Sequence, residues 1–167
     1  MRMTKLFLLL ASISALVISS DGAALAGSAN ANLPVSVVVS NNCTITTAAV
    51  TFAGYDPLSA TDADSTGGSV TITCTKGATT SIGLDNGANA SSGQRRMKDA
   101  TTDYLNYFLF SDSGRTTTWG NAAGSWVVPP AAPDKTPRPY AVYGRITAGQ
   151  DVPSGTYNDT VVATVNF

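Results

Sequence analysis

The chain has 167 residues, 43% of them hydrophobic and only 13% charged, with a formal net charge of −1. So weak a charge offers no field to hold a polyanion, which argues against nucleic acid as a partner. It contains neither histidine nor glutamate, which removes Ser-His-Asp and Cys-His machinery and most zinc sites. Thr, Val, Ser, Ala and Gly dominate, a composition that suits pleated surfaces and turns better than helices.

Arg2 and Lys5 make a short basic start, and residues 6–18 are almost wholly apolar. That run is too short for a comfortable membrane span and has the form of a secretory signal. Ala24-Leu25-Ala26 and Ala29-Asn30-Ala31 both fit the small-x-small cleavage pattern. A signal peptide is therefore expected over 1–26, with cleavage as late as 31 as the alternative. Residues 27–41 begin with a polar lead and continue as an alternating strand. Leu33, Val35, Val37 and Val39 share one parity, against Pro34, Ser36 and Ser40, with Val38 the exception. A single domain is expected over 42–167.

Cys43 and Cys74 are the only cysteines, and in an exported chain an isolated pair implies one disulfide. Val50 and Phe52 precede a turn at Gly54-Tyr55-Asp56-Pro57. Val70, Ile72 and Cys74 alternate with Thr71 and Thr73, and Ile82 and Leu84 run into the turn Asp85-Asn86-Gly87. Residues 104–110 read as an aromatic-rich strand, 126–128 as a short one and 140–146 as another. Residues 87–102 and 129–139 read as loops, the second because it holds five of the eight prolines. The chain ends in a strand over 156–167, with Tyr157, Val161, Ala163, Val165 and Phe167 on one face. Short strands punctuated by Gly, Pro, Asn and Asp predict an all-β sandwich or barrel.

Few residues carry candidate chemistry. Asp62 and Asp64 lack the further oxygens that a calcium loop needs, and read as a solvated loop. Asp56 and Asp85 sit in ordinary turn sequences, where Asp accepts local backbone hydrogen bonds, rather than forming an acid–base pair. Arg95, Arg96 and Lys98 form the one basic cluster and read as a solvated loop. No catalytic site, no metal site and no cofactor are expected, and the chain does not read as an enzyme.

The motifs taken together resemble the spore coat protein U domain family, which includes the subunits of archaic chaperone–usher pili of the Csu type. The matching pieces are Asn42-Cys43-Thr44-Ile45, Val50-x-Phe52 with Tyr55-Asp56-Pro57, Cys74, Leu84-Asp85-x-Gly87 and Arg96-Met97. They continue with Tyr104-Leu105-Asn106-Tyr107-x-Leu109-Phe110-x-Asp112, Trp119-Gly120, Tyr143-Gly144-Arg145-Ile146, Gln150 and Gly155-x-Tyr157-x-Asp159-Thr160-Val161. The resemblance implies an immunoglobulin-like, pilin-type sandwich that lacks its final strand and is completed by a donor strand from another chain. A periplasmic chaperone would fill the vacancy first, and a neighbouring pilin subunit would replace it at an outer-membrane usher.

The donor would be Leu33, Val35, Val37 and Val39; the acceptor and chaperone edge would be Val161, Ala163, Val165 and Phe167. On this reading the protein is exported through the periplasm to a surface pilus or the extracellular space, as a fibre subunit serving attachment and biofilm. The alternatives are a self-complemented secreted coat protein and a small adhesin or glycan-binding module.

Overall fold

The computed structural model describes residues 26–65 and 67–167, so the expected signal peptide lies almost wholly outside the described residues. The described residues contain strands and turns but no helix. They divide into two units, one ending at Val37 and one spanning Val38–Phe167. In the first, residues 26–37 carry no hydrogen-bonded strand and their side chains are exposed.

The second unit begins with β1 (Cys43–Ala48), which runs antiparallel to β3 (Ser69–Cys74). Cys43 lies opposite Cys74, and a disulfide joins them. The same register carries on to Phe52, which bridges Ser65. In β3 the alternation works as the sequence implies. Val70, Ile72 and Cys74 are buried, while Ser69, Thr71 and Thr73 are only partly covered. A period of two places one face on the core and the other towards solvent.

The far edge of β3 pairs with β8 (Arg138–Ala141), and after Val142 the same run becomes β9 (Tyr143–Ile146). There β9 lies between β2 (Ala63–Asp64) and β7 (Phe108–Phe110). The β2–β9 and β3–β8 registers are offset by one residue, so the ladder carries a bulge between Asp64 and Ser69. Gly144 stands at this bend, and a β-carbon there would meet the Phe52 ring at 2.7 Å.

The facing sheet pairs β4 (Ser81–Leu84) with β10 (Ala163–Asn166), and Val127 bridges Ile82 on the other side of β4. β5 (Arg96–Lys98) pairs with β6 (Tyr104–Asn106), and Lys98 bridges Asn158 just before β10. The core between the sheets contains Ile72, Ile82, Leu109 and Ile146, each worth about 1.5–3 kcal/mol on burial. Trp119 is fully buried among them, with its indole N–H donated to the Ile82 carbonyl at 2.9 Å.

Three sequence expectations change. The stretch 87–102 contains β5, because the Arg96–Lys98 backbone pairs with β6. The strand expected over 104–110 divides at Tyr107, whose N–H still bonds the Arg95 carbonyl beside β5, whereas Phe108 onward pairs with β9. Pro139 lies inside β8, opposite Thr71. It is tolerated there because β8 is an edge strand of the sheet β1–β3–β8, so its missing N–H leaves no ladder partner waiting.

The disulfide closes a 31-residue separation. Replacing both cysteines by alanine should lower unfolding stability by about 3–4 kcal/mol on the chain-entropy estimate, measured by urea titration. Alkylation of the unreduced parent should label no thiol.

Candidate functional site

Past Ala48 the first strand leaves the β3 ladder, and residues 47–50 form one wall of a groove. Residues 157–163, the approach to β10, form the opposite wall. Between them lies a cavity of about 420 Å³. Its floor is made by Val70, Leu84, Leu109 and Val142, all members of the buried core. The groove therefore reaches down to the hydrophobic core along this seam. β1 and β10 belong to different sheets, and among the described residues no strand is paired to the second edge of β10.

Backbone geometry sets which groups face the open edge. Asp85 N–H donates to the Val162 carbonyl and Ala88 N–H to the Thr160 carbonyl, both at 3.0 Å. The even-numbered residues thus spend their main-chain groups on the β4 side. In an antiparallel strand these directions alternate, so the N–H and C=O of Val161, Ala163 and Val165 point to the open edge.

Side chains alternate too. Tyr157, Asp159, Val161, Ala163 and Val165 are half-buried, while Asn158, Thr160, Val162 and Thr164 are exposed. Three of the four expected edge residues thus lie on the inward row. Phe167, the fourth, is 55% exposed at the end of the strand. The expected donor residues Leu33, Val35, Val37 and Val39 are 76–89% exposed.

The sequence names Asp159 only as part of a family motif, with no role, although it shares the parity of the apolar row. Its Oδ2 accepts the Tyr107 hydroxyl at 2.7 Å. Its Oδ1 accepts the Asn89 backbone and side-chain N–H groups at 3.1 and 3.0 Å. Gly87, in the left-handed region at φ 81°, leaves room for this carboxylate, which a β-carbon there would strike. Burial, reinforced by the hydrogen bond to Asp159, raises the Tyr107 pKa far above its usual value and keeps the hydroxyl protonated.

Asp85 is the turn residue the sequence suggests, with its Oδ1 accepting Gly87 N–H at 2.9 Å. The same oxygen also accepts Val162 N–H at 2.9 Å, which ties the turn to the groove wall. Asp56 makes local turn bonds, its carboxylate accepting Leu58 N–H and its carbonyl Ser59 N–H.

Arg95 corrects the reading of a solvated basic cluster, being only 5% exposed. Its Nε and Nη2 donate to the Asp85 and Leu84 carbonyls, both at 2.8 Å. Burial lowers its pKa, opposed by the nearby Tyr107, Asp85 and Asp159. Arg96 and Lys98 instead lie over the Tyr104 ring, at 4.1 and 5.8 Å from its centroid.

Asp62 and Asp64 are engaged by protein cations. Arg145 Nε and Nη2 grip the two Asp64 oxygens at 2.8 and 3.0 Å. Arg115 reaches Asp64 at 3.1 Å and Arg145 reaches Asp62 at 3.5 Å. The Arg145 hydrogen bond is the main reason the Asp64 pKa falls below its ordinary value.

The Spore Coat Protein U domain pattern matches residues 29–164. The chain belongs to this family. It is 42% identical over 157 residues to Protein U of Myxococcus xanthus, covering 85% of this chain and 87% of that protein. It is also similar to a chain in the crystal structure of the CsuC–CsuE chaperone–tip adhesion subunit pre-assembly complex, from the archaic chaperone–usher Csu pili of Acinetobacter baumannii. That likeness has a TM-score of 0.57 and 26% identity, covering 77% of this chain and 40% of that one. The fold of this Spore Coat Protein U domain is accordingly the immunoglobulin-like, pilin-type sandwich.

Tyr107→Phe should cost about 1.5–3 kcal/mol, the usual value for a hydrogen bond to a charged group, read from the urea midpoint. Asp64→Asn should cost less than about 1 kcal/mol, because the pair is exposed and screened. The Asp64 contribution is present above the unfolded carboxylate pKa and fades as pH falls through the lowered folded pKa. Parent and Asp64→Asn stabilities should therefore differ at neutral pH and converge in acid.

Proposed function

We propose that this protein is a structural subunit of a chaperone–usher surface pilus, polymerising by donor-strand complementation and supporting attachment and biofilm formation. The observation that carries this reading is the groove beside β10. Its floor is the hydrophobic core, and the described residues supply no strand for its open edge. A strand entering there would make main-chain hydrogen bonds for affinity and place alternate side chains in the groove for specificity.

The exposed row Leu33, Val35, Val37 and Val39 is the proposed donor, offered to a second copy. Burying four such side chains supplies roughly 6–10 kcal/mol before ordering costs. A head-to-tail contact of this kind does not close on itself, so repetition builds a fibre. Before polymerisation a periplasmic chaperone covers the groove, and an outer-membrane usher is the site of exchange. The subunit is exported through the periplasm and ends at the cell surface. An enzymatic role has no support, since the chain has no histidine and both cysteines are bridged.

A second reading, a self-complemented secreted coat protein, takes its coat role from the name of the matched family, Spore Coat Protein U domain. In it the N-terminal segment fills the groove of its own chain.

Val37→Asp puts an unpaired carboxylate into the apolar groove, which is costly. The variant should fold and bind its chaperone yet fail as a donor, and removal of residues 32–39 from the exported chain should do the same. The readout is a ladder of SDS-resistant oligomers on unheated gels, or fibres by electron microscopy. Polymerisation of either variant like the parent sinks the donor assignment. A parent that is a stable monomer without a chaperone supports the self-complemented coat protein.

A further inference from the structure

The two terminal segments match one another in antiparallel order, on both faces. The odd-numbered row of the groove wall, read backwards, is the exposed Phe167, then the inward Val165, Ala163 and Val161, and then the carboxylate Asp159. The N-terminal row, read forwards, is Leu33, Val35, Val37, Val39 and then the polar Asn41. Each row is four apolar residues followed by one polar residue.

The outward faces are mostly polar, and each carries one valine that breaks the pattern. In the N-terminal segment it is Val38, 90% exposed; in the groove wall it is Val162, 55% exposed. The alignment that matches the inward rows also sets Val38 directly opposite Val162. It sets Ser36 opposite Thr164 and Ser40 opposite Thr160.

From this double match we infer that the incoming strand from a second copy runs antiparallel to β10 in one register. Val39 stands opposite Val161, Val37 opposite Ala163, and Asn41 within reach of Asp159. The inference rests on the donor-strand reading and specifies its register.

Two physical constraints select this alignment. Sliding the donor two residues deeper puts Val39 against the Asp159 carboxylate, a desolvation without compensation. Sliding it two residues outward sets Asn41 against Val161 and leaves Val162 facing Ser40. A parallel strand that paired Val38 with Val162 would set Val35 against Asp159. Asp159 is held in place by Tyr107 and Asn89, so it acts as a fixed stop at the end of the apolar row. Pro34 also fits. It falls opposite Asn166, whose main-chain groups point to β4, so its missing N–H costs no bond to β10.

The same geometry makes Val38 and Val162 a non-hydrogen-bonded pair. Such pairs have the closer α-carbons, which suits a disulfide. Full-length double variants are produced with the chaperone and usher, allowed to assemble, then oxidised and run on heated, non-reducing gels. Val38→Cys with Val162→Cys should give a reductant-sensitive ladder of covalent oligomers, at least tenfold stronger than Val38→Cys with Thr160→Cys or Thr164→Cys. Both valines are exposed on the outer face, so the substitutions leave the core intact. The inward pair, Val39→Cys with Val161→Cys, is the second measurement.

A dominant ladder from either shifted pair overturns the register while leaving donor-strand assembly standing. Assembled fibres with no cross-link from any of these pairs overturn it as well. A Val38–Val162 bond that forms only within single chains supports the register and sinks the second-copy reading.

Discussion

A strand edge facing an apolar interior cannot be left as it is, and the rest of this structure depends on that constraint. The inner face of β10 packs on the core, while Val161, Ala163 and Val165 direct main-chain groups to an edge with no described partner. Backbone donors and acceptors beside apolar surface demand hydrogen bonds, and open edges recruit other chains. Closing the seam with a loop would satisfy neither the ladder nor the cavity beneath it. A strand satisfies both at once, because its backbone completes the sheet while every second side chain fills the groove.

The remainder of the domain holds that edge in a defined shape while it waits. The disulfide pins the start of β1 to β3, and the first wall leaves the sheet only beyond Ala48. The second wall is fastened from the side by polar contacts. Asp85 accepts the Val162 N–H, Asn89 and Tyr107 hold Asp159, and the buried Arg95 binds the carbonyls of the turn that carries Asp85. Buried polar groups of this kind are tolerable only when satisfied, and here hydrogen bonds meet the guanidinium, the phenol and the carboxylate. The motif residues Leu84-Asp85-x-Gly87, Tyr107 and Asp159 thereby acquire a single physical role as the frame of one groove wall.

Much of the architecture was legible from residue type and spacing. The alternation of Val70, Ile72 and Cys74 with threonines marks a half-buried strand, and β3 is one. The cysteine pair in an exported chain implies a disulfide, and the structure has it. The row Val161, Ala163, Val165 is legible for the same reason, since a period of two survives without knowledge of the partner strand. Asp159, legible as a motif residue, stood outside the row because a carboxylate breaks an apolar pattern, although position counting alone puts it there. Arg95 was misread because charge beside glycine usually means a solvated loop. Nothing local announces that the Leu84 and Asp85 carbonyls lie within reach of its guanidinium.

By itself, the sequence determined most of the strands, their inward faces, the covalent tie between Cys43 and Cys74, and the absence of histidine chemistry. These follow from side-chain type and short-range periodicity, which need no tertiary partner to be read. Only the tertiary structure decided that the walls at 47–50 and 157–163 face one another over the core, and that Asp159 closes the apolar row with its carboxylate already bonded. Those facts depend on which strands pair across the two sheets and which edge is left without a neighbour. Such pairings join residues up to 85 positions apart, as Ser81 and Asn166 are, where no local pattern in the chain specifies the partner.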